Sequence, residues 1–303
     1  MEEYDTESHV NKKNFEACST LARAIESHDI KLLQILVKYG MDVNDLNEHK
    51  RTALHELFMG SRRSYLNNRK GYITSIDELC EKGIDIDCQD SHKQTSLHLT
   101  VLNCLEHGTS TLLSSGADIN VTDCNGRTPI TLLLTGDIVN EKISEMFIKH
   151  LRKIRVFKVP IRSQNKALDN EFINHQDPES FNSNIIREFE ISDGLKKMKN
   201  IILKENVTLH DIMYMDPHQL IFLVENDALV SVLESKDFHE KFPEFGGILK
   251  LKYRIASRKK AINSARKTLY SILKMRIPET CTEIVASCLN NKDLEALAGL
   301  NFK

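Results

Sequence analysis

Imidazoles and thiols offer the most chemistry in this chain of 303 residues, which holds 12 histidines and seven cysteines. Two of the histidines occupy matching places, in Thr52-Ala-Leu-His55 and Thr95-Ser-Leu-His98. A pair of imidazoles can ligate a metal or carry protons, yet neither has a third ligand beside it at metal spacing. The cysteines are Cys18, Cys80, Cys88, Cys104, Cys124, Cys281 and Cys288. They form no Cys-x-x-Cys pair, and their odd number argues against a secreted disulfide framework or a zinc knuckle. No Gly-x-x-x-x-Gly-Lys loop, His-Glu-x-x-His helix or Gly-x-Ser-x-Gly turn occurs. We expect a binding protein, not an enzyme, with no metal and no cofactor.

The histidines belong to a larger pattern. Gly40-Met-Asp-Val-Asn44, Gly83-Ile-Asp-Ile-Asp87 and Gly116-Ala-Asp-Ile-Asn120 each precede a Thr-x-(Leu/Ile) step, the last being Thr128-Pro-Ile-Thr131. The spacing is 33 residues from Thr95 to Thr128 and from Gly83 to Gly116. Ser19-Thr20-Leu21-Ala22 fills the same slot ahead of Thr52. A period of 33 with this start resembles the ankyrin repeat, over about residues 16–155. Thr52, Thr95 and Thr128 stand where a helix begins and can cap it, and Pro129 suits a first helical turn. Gly40, Gly83 and Gly116 stand where a left-handed residue ends a helix. Runs such as Ile30-Lys-Leu-Leu-Gln-Ile-Leu-Val37 place apolar side chains on one helical face, which only stacking can bury. The resemblance implies that His55 and His98 are structural hydrogen bonders between neighbouring units.

One unit is ten residues too long, with 43 residues from Gly40 to Gly83. The excess lies near 60–71, between the helices of that unit, and includes Arg62 and Arg63. Its glycine ends and basic residues indicate an exposed loop, either a solvated decoration or part of a binding face.

The acidic start Met1-Glu-Glu-Tyr-Asp5 lacks an apolar signal core, and no apolar stretch reaches the length of a membrane span. The expected site of action is the cytoplasm, or the nucleus, with no membrane partner. A polar, turn-rich run at 156–184 reads as a linker. Helical periodicity returns from 185 onward and marks a second module, 185–303.

That module carries a second resemblance. The order Met198-Lys199, Val207-Thr-Leu-His-Asp-Ile-Met213, Phe242-Pro-Glu-Phe-Gly-Gly-Ile-Leu249 and Arg258-Lys-Lys260 is similar to the PRANC domain. This is the C-terminal module of poxvirus ankyrin-repeat proteins, also found in parasitoid wasps and some intracellular bacteria. The segment 277–297 resembles that domain's truncated F-box. Read on its own, it is a short amphipathic helix opening at Pro278, then a second from Asp293-Leu294. Such a pair suits a partner's groove, although the same pattern also serves to cap a module. The F-box resemblance implies that Ile277, Pro278, Ile284, Val285, Leu289, Asp293, Leu294 and Leu297 contact the SKP subunit of a cullin ubiquitin ligase. Ile277 stands where leucine is usual and Cys288 where an aromatic is common.

The stretch from Lys250 to Arg276 holds ten of the chain's 41 basic residues and none of its 43 acidic ones. Ile255, Ile262, Ala265, Leu269, Ile272 and Leu273 mark an apolar stripe, so the cations are expected on the opposite face, solvated or turned toward the acidic N-terminal part. Nucleic acid is the less favoured partner.

The expected fold is all-α: an ankyrin-repeat solenoid of about four repeats, followed by a helical PRANC/F-box-like module. The expected function is that of an adaptor, holding a host target protein on the repeats while its tail recruits a ubiquitin ligase. Target contacts are expected on the exposed tips between repeats, at Asn47, His49, Lys50, Arg51, Ser91, His92, Lys93, Asn125 and Arg127, and on the loop carrying Arg62 and Arg63. The alternatives are a decoy resembling an inhibitor of κB, which sequesters a transcription factor without a ligase, and a nucleic-acid binder using the basic helix.

Overall fold

Short helical runs alternate with turn-forming Gly-x-Asp and Asp/Asn-x-x-(Lys/Gly) phrases through the first half of the chain, and the computed structural model follows that punctuation. The structure describes residues 20–21, 24, 30–39, 41–59, 74–76, 78–80, 82–134, 140–161, 165, 193–204, 207–235, 237–273, 285, 289, 294 and 296. The protein is mostly helical. In the N-terminal half the helices are α1 (Ile30–Lys38), α2 (Ala53–Met59), α3 (Ser96–Leu102), α4 (Glu106–Ser114), α5 (Pro129–Leu134) and α6 (Glu141–Val156). Residues 74–76 and 78–80 are also helical. Helix α5 opens on Pro129, as its sequence suggests. Gly83 and Gly116 have φ of 79° and 89°, the left-handed backbone expected of them. Gly40 lies outside the described residues.

Helices α2, α3 and α5, each following an extended finger, contact one another in succession, while α4 packs on α6. Two rows of helices thus bury one core between them, with Leu54, Phe58, Leu97, Leu112, Ile130, Phe147 and Ile154 inside it. Helix α1 departs from the expected one-sided burial, because Leu32 and Ile35 are exposed.

The C-terminal half contains α7 (Asp193–Lys199), a small antiparallel hairpin of β1 (Ile202–Lys204) and β2 (Val207–Thr208), α8 (Leu209–Tyr214) and α9 (Pro217–Leu220). A 3-10 turn (Ile221–Leu223), α10 (Asp227–Leu233), α11 (Phe238–Lys241) and the 28-residue α12 (Gly246–Leu273) complete it. Helix α12 is the post on which α8, α9 and α11 lean, and it also packs on α4 of the first half. Backbone meets backbone there. A Cβ on Gly247 would collide with the Ser114 carbonyl oxygen, and one on Gly116 with that of Gly247. The same hydrophobic cluster runs from Leu21 to Ala256. Phe157 packs edge-on against Tyr214 at 5.4 Å and Phe245 at 5.7 Å.

Within 156–184, the segment read as a linker, Phe157, Val159 and Asn165 are buried. Asn165 accepts from Thr128 Oγ1 at 2.6 Å and donates to Ile119 O at 3.0 Å. Among the described residues no helix is long and apolar enough to cross a membrane.

Candidate functional site

The three fingers before α2, α3 and α5 are built by the same atoms in the same register. Asn47 Oδ1 accepts from His49 N (2.9 Å) and Arg51 N (3.0 Å). Asp90 Oδ1 accepts from His92 N (2.8 Å) and Gln94 N (2.9 Å), and Asp123 Oδ1 from Asn125 N (2.9 Å) and Arg127 N (2.8 Å). Each side chain satisfies amides that the reversing chain would otherwise leave unpaired. Successive fingers are tied directly, Ser91 N donating to His49 O and Cys124 N to His92 O, both at 2.9 Å.

This frame divides the expected contact residues. His49, Lys50, Ser91, His92, Lys93 and Asn125 are exposed at the tips. Asn47, Arg51 and Arg127 are braces. Asn47 also donates to Glu56 at 2.9 Å, Arg51 lies 3.4 Å from Asp90 and 3.7 Å from Glu56, and Arg127 meets Asp123 at 2.8 Å. The guanidinium groups of Arg51 and Arg127 turn toward Asp90 and Asp123 because those buried carboxylates need a countercharge. Arg62 and Arg63 lie outside the described residues. The bracing role of Asp90 and Asp123 was missed in the sequence, although both share the spacing of Asn47.

His55 and His98 are buried and occupied on both ring nitrogens. Nδ1 of His98 accepts from Thr95 N at 3.1 Å, with Thr95 Oγ1 at 2.9 Å, so the proton sits on Nε2, which donates to Arg127 O at 3.1 Å. His55 repeats this with Thr52 and Gln94 O, at 3.2, 2.9 and 3.1 Å. Burial lowers both pKa values. Neutral rings spent on joining adjacent units cannot take up a proton or a metal without breaking those joints. Among the described residues no cluster of His, Cys, Asp and Glu could hold a metal ion. Burial also pushes the Cys88 thiol up to about 12, which leaves it a poor nucleophile.

A second set of joints lies at the base of the fingers. Asn44 donates to Gly83 O at 3.1 Å and accepts from Asp85 N at 2.6 Å. Asn120 donates to Pro160 O at 3.0 Å. The middle member is Asp87, which accepts from Asp118 N at 2.8 Å but has no amide to donate. Arg254 of α12 supplies the missing donor, bridging Asp87 Oδ2 at 2.6 Å and the Gly116 carbonyl. Burial pushes the Asp87 carboxyl up to about 6, against the opposing pull of Arg254.

The cations of α12, expected to be solvated or turned toward the N-terminal part, are divided: Arg258 and Lys267 are exposed, Arg254 reaches Asp87 of that part, and others are enclosed. Lys252 is fully buried, and its Nζ donates to Phe157 O (3.0 Å), Ile212 O (3.0 Å), Met213 O (2.6 Å) and Met215 O. Phe157 caps the C-terminus of α6, and the other three close α8. A buried ammonium is tolerable here because two helix C-termini ring its three N–H groups with carbonyls, of which that of Ile212 also has a helical partner, Met215 N at 3.3 Å. Burial lowers its pKa to about 7. Lys260 pairs with Glu225 at 2.7 Å, Lys259 Nζ lies 2.8 Å from the His218 ring, and Arg258 donates to Leu289 O at 3.1 Å.

At the tail, Leu294 is fully buried against Ala265 of α12, with Leu289, Ala261 and Ile262 around them. Leu294 therefore packs within its own chain, and a separate protein would have to displace it. Val285 is 50% exposed. Ile277, Pro278, Ile284, Asp293 and Leu297 lie outside the described residues. No protein-family model matches the chain, and no curated protein matches it.

Proposed function

We propose that the chain is a non-catalytic adaptor of ankyrin-repeat type. Its finger tips hold a host target protein, and its F-box-like tail recruits the SKP subunit of a cullin ubiquitin ligase, in the cytoplasm or nucleus of the host cell. Three equally built fingers, tied tip to tip, carry this reading: they present exposed side chains at fixed spacing on a rigid support, as recognition surfaces do. The 33-residue period, the histidine joints and the helix pairing support the repeat assignment. Tethering makes ubiquitin transfer a local event by raising effective concentration.

The burial of Leu294 favours a second reading, in which the tail caps its own module and the chain sequesters a transcription factor as a decoy. Nucleic-acid binding draws little support, because Lys252, Arg254, Lys259 and Lys260 are engaged within the chain. The adaptor and the decoy separate in one co-precipitation. Purified SKP should bind the wild type and lose about tenfold in affinity or more for Val285→Asp, since a carboxylate in an apolar contact costs several kcal/mol. SKP binding unaffected by Val285→Asp and by deletion of 277–303 would remove the adaptor reading. No SKP binding at all would leave the decoy.

A further inference from the structure

The finger tips carry cations where the backbone would favour glycine. Lys50 and Lys93 occupy the same turn position as Gly126, and all three have positive φ: 55°, 55° and 74°. A side chain in this region costs on the order of 1 kcal/mol that glycine avoids. Cys104 and Lys158 share the conformation, but they follow the C-termini of α3 and α6, where a left-handed residue ends a helix. At the tips no helix ends, and the third finger has the glycine. Strain kept at an exposed position, where another residue would relieve it, points to a use for the side chain.

The surrounding charges say what that use is. The tip acids Asp90 and Asp123 are buried and spent on amides and arginines, and Arg51 and Arg127 are spent on them in turn. What remains outward is Lys50, Lys93 and the neighbouring rings of His49 and His92, with Glu48 the exposed acid, 3.5 Å from His49. Among the described residues the ammonium groups of Lys50 and Lys93 have no partner. The bonds from Ser91 to His49 and from Cys124 to His92 hold the tips side by side.

From this we infer that the finger tips bind an acidic, extended protein segment that runs across them. The inference rests on the finger-tip reading above and names the class of client. Neighbouring helices pack about 8–10 Å apart, and an extended chain advances about 3.3 Å per residue. In the polyproline II form an extended chain has three residues per turn at about 3.1 Å each, so carboxylates three residues apart on the client share one face and would meet successive tips.

The test uses the full chain and two fluorescent probes, a dodecaglutamate peptide and a dodecamer of deoxythymidine, read by anisotropy at low salt. Dodecaglutamate should bind, weaken as salt is raised, and weaken about tenfold or more in Lys50→Gly/Lys93→Gly. The melting temperature of that variant should stay level or rise, because glycine relieves the strained turns. A control lacking two exposed cations elsewhere, Lys149→Ala/Lys199→Ala, should bind as the wild type does. Equal loss in the control, or no loss in the glycine variant, would reduce the effect to net charge and overturn the inference. Equal or tighter binding of the thymidine dodecamer would overturn it too, by pointing to nucleic acid. Failure of the peptide while SKP is still captured through Val285 would sink the acidic client alone and leave the adaptor standing.

Discussion

His150 shows how one side chain can set the acid limit of the fold. It is buried on α6, and its Nε2 has no hydrogen-bond partner among the described residues. Burial, reinforced by the nearby charge of Lys153, lowers its pKa to about 4. The unfolded chain therefore holds more protons on this ring between pH 6.5 and about 4, and the stability that the neutral ring allows is lost as pH falls through that window. Roughly 3 kcal/mol is at stake. His150→Leu removes both the titration and the unpaired nitrogen at similar volume. Urea unfolding at pH 7 and pH 4.5 should show a smaller acid loss in the variant, with stability at pH 7 changed by less than about 1 kcal/mol. Some loss persists, because His55 and His98 are lowered in the same direction. An acid loss identical in both proteins would show that His150 does not govern it.

Between elements, the joint at Asp87 is the instructive case. Asn44 and Asn120 complete their joints with their own amides, whereas Asp87 borrows Nη2 of Arg254 from α12. Arg254→Met should cost about 2 kcal/mol, because it strands a carboxylate that is only 21% exposed. In an Asp87→Asn background the same change should cost less than about 1 kcal/mol, since the new amide can reach Gly116 O as Asn44 reaches Gly83 O. A double-mutant cycle by chemical unfolding measures the difference, and additive losses would show that the two groups are not coupled. This joint also marks where sequence reading stopped. Finger positions, the start at Pro129 and the glycine turns were legible because their causes lie within a few residues. The histidine joints were legible only as what the resemblance to the ankyrin repeat implies. Arg254 was not, since its partner is 167 residues away; the one signal was an aspartate where the flanking units have asparagine. Lys252 read as solvated because a lysine on an amphipathic helix usually is, and Asn165 read as linker because amides favour turns. The braces Asn47, Arg51 and Arg127 read as contacts because polar turn residues look alike until their carboxylate partners are placed.

At the scale of the whole molecule, the two halves of the chain share a core, and Lys252 is one of the points that tie them. Its ammonium joins the end of α6, in the first half, to the end of α8, in the second. Methionine has a similar length and apolar stem but no N–H groups, so Lys252→Met leaves the carbonyls of Phe157, Met213 and Met215 short of a donor, Ile212 O keeping its bond from Met215 N, while most of the packing stays. Each unmade buried bond costs on the order of 1–3 kcal/mol, partly offset because the lysine no longer has to be desolvated. We expect a net loss of about 3 kcal/mol or more and a melting temperature lower by about 10 °C. Because the hydrophobic cluster crosses from one half to the other, calorimetry on the full chain should record one endotherm in the wild type, and the variant should shift that endotherm as a whole. Two wild-type endotherms, with Lys252→Met moving only the one from the C-terminal helices, would mean that the halves unfold independently and that the shared core does not couple them.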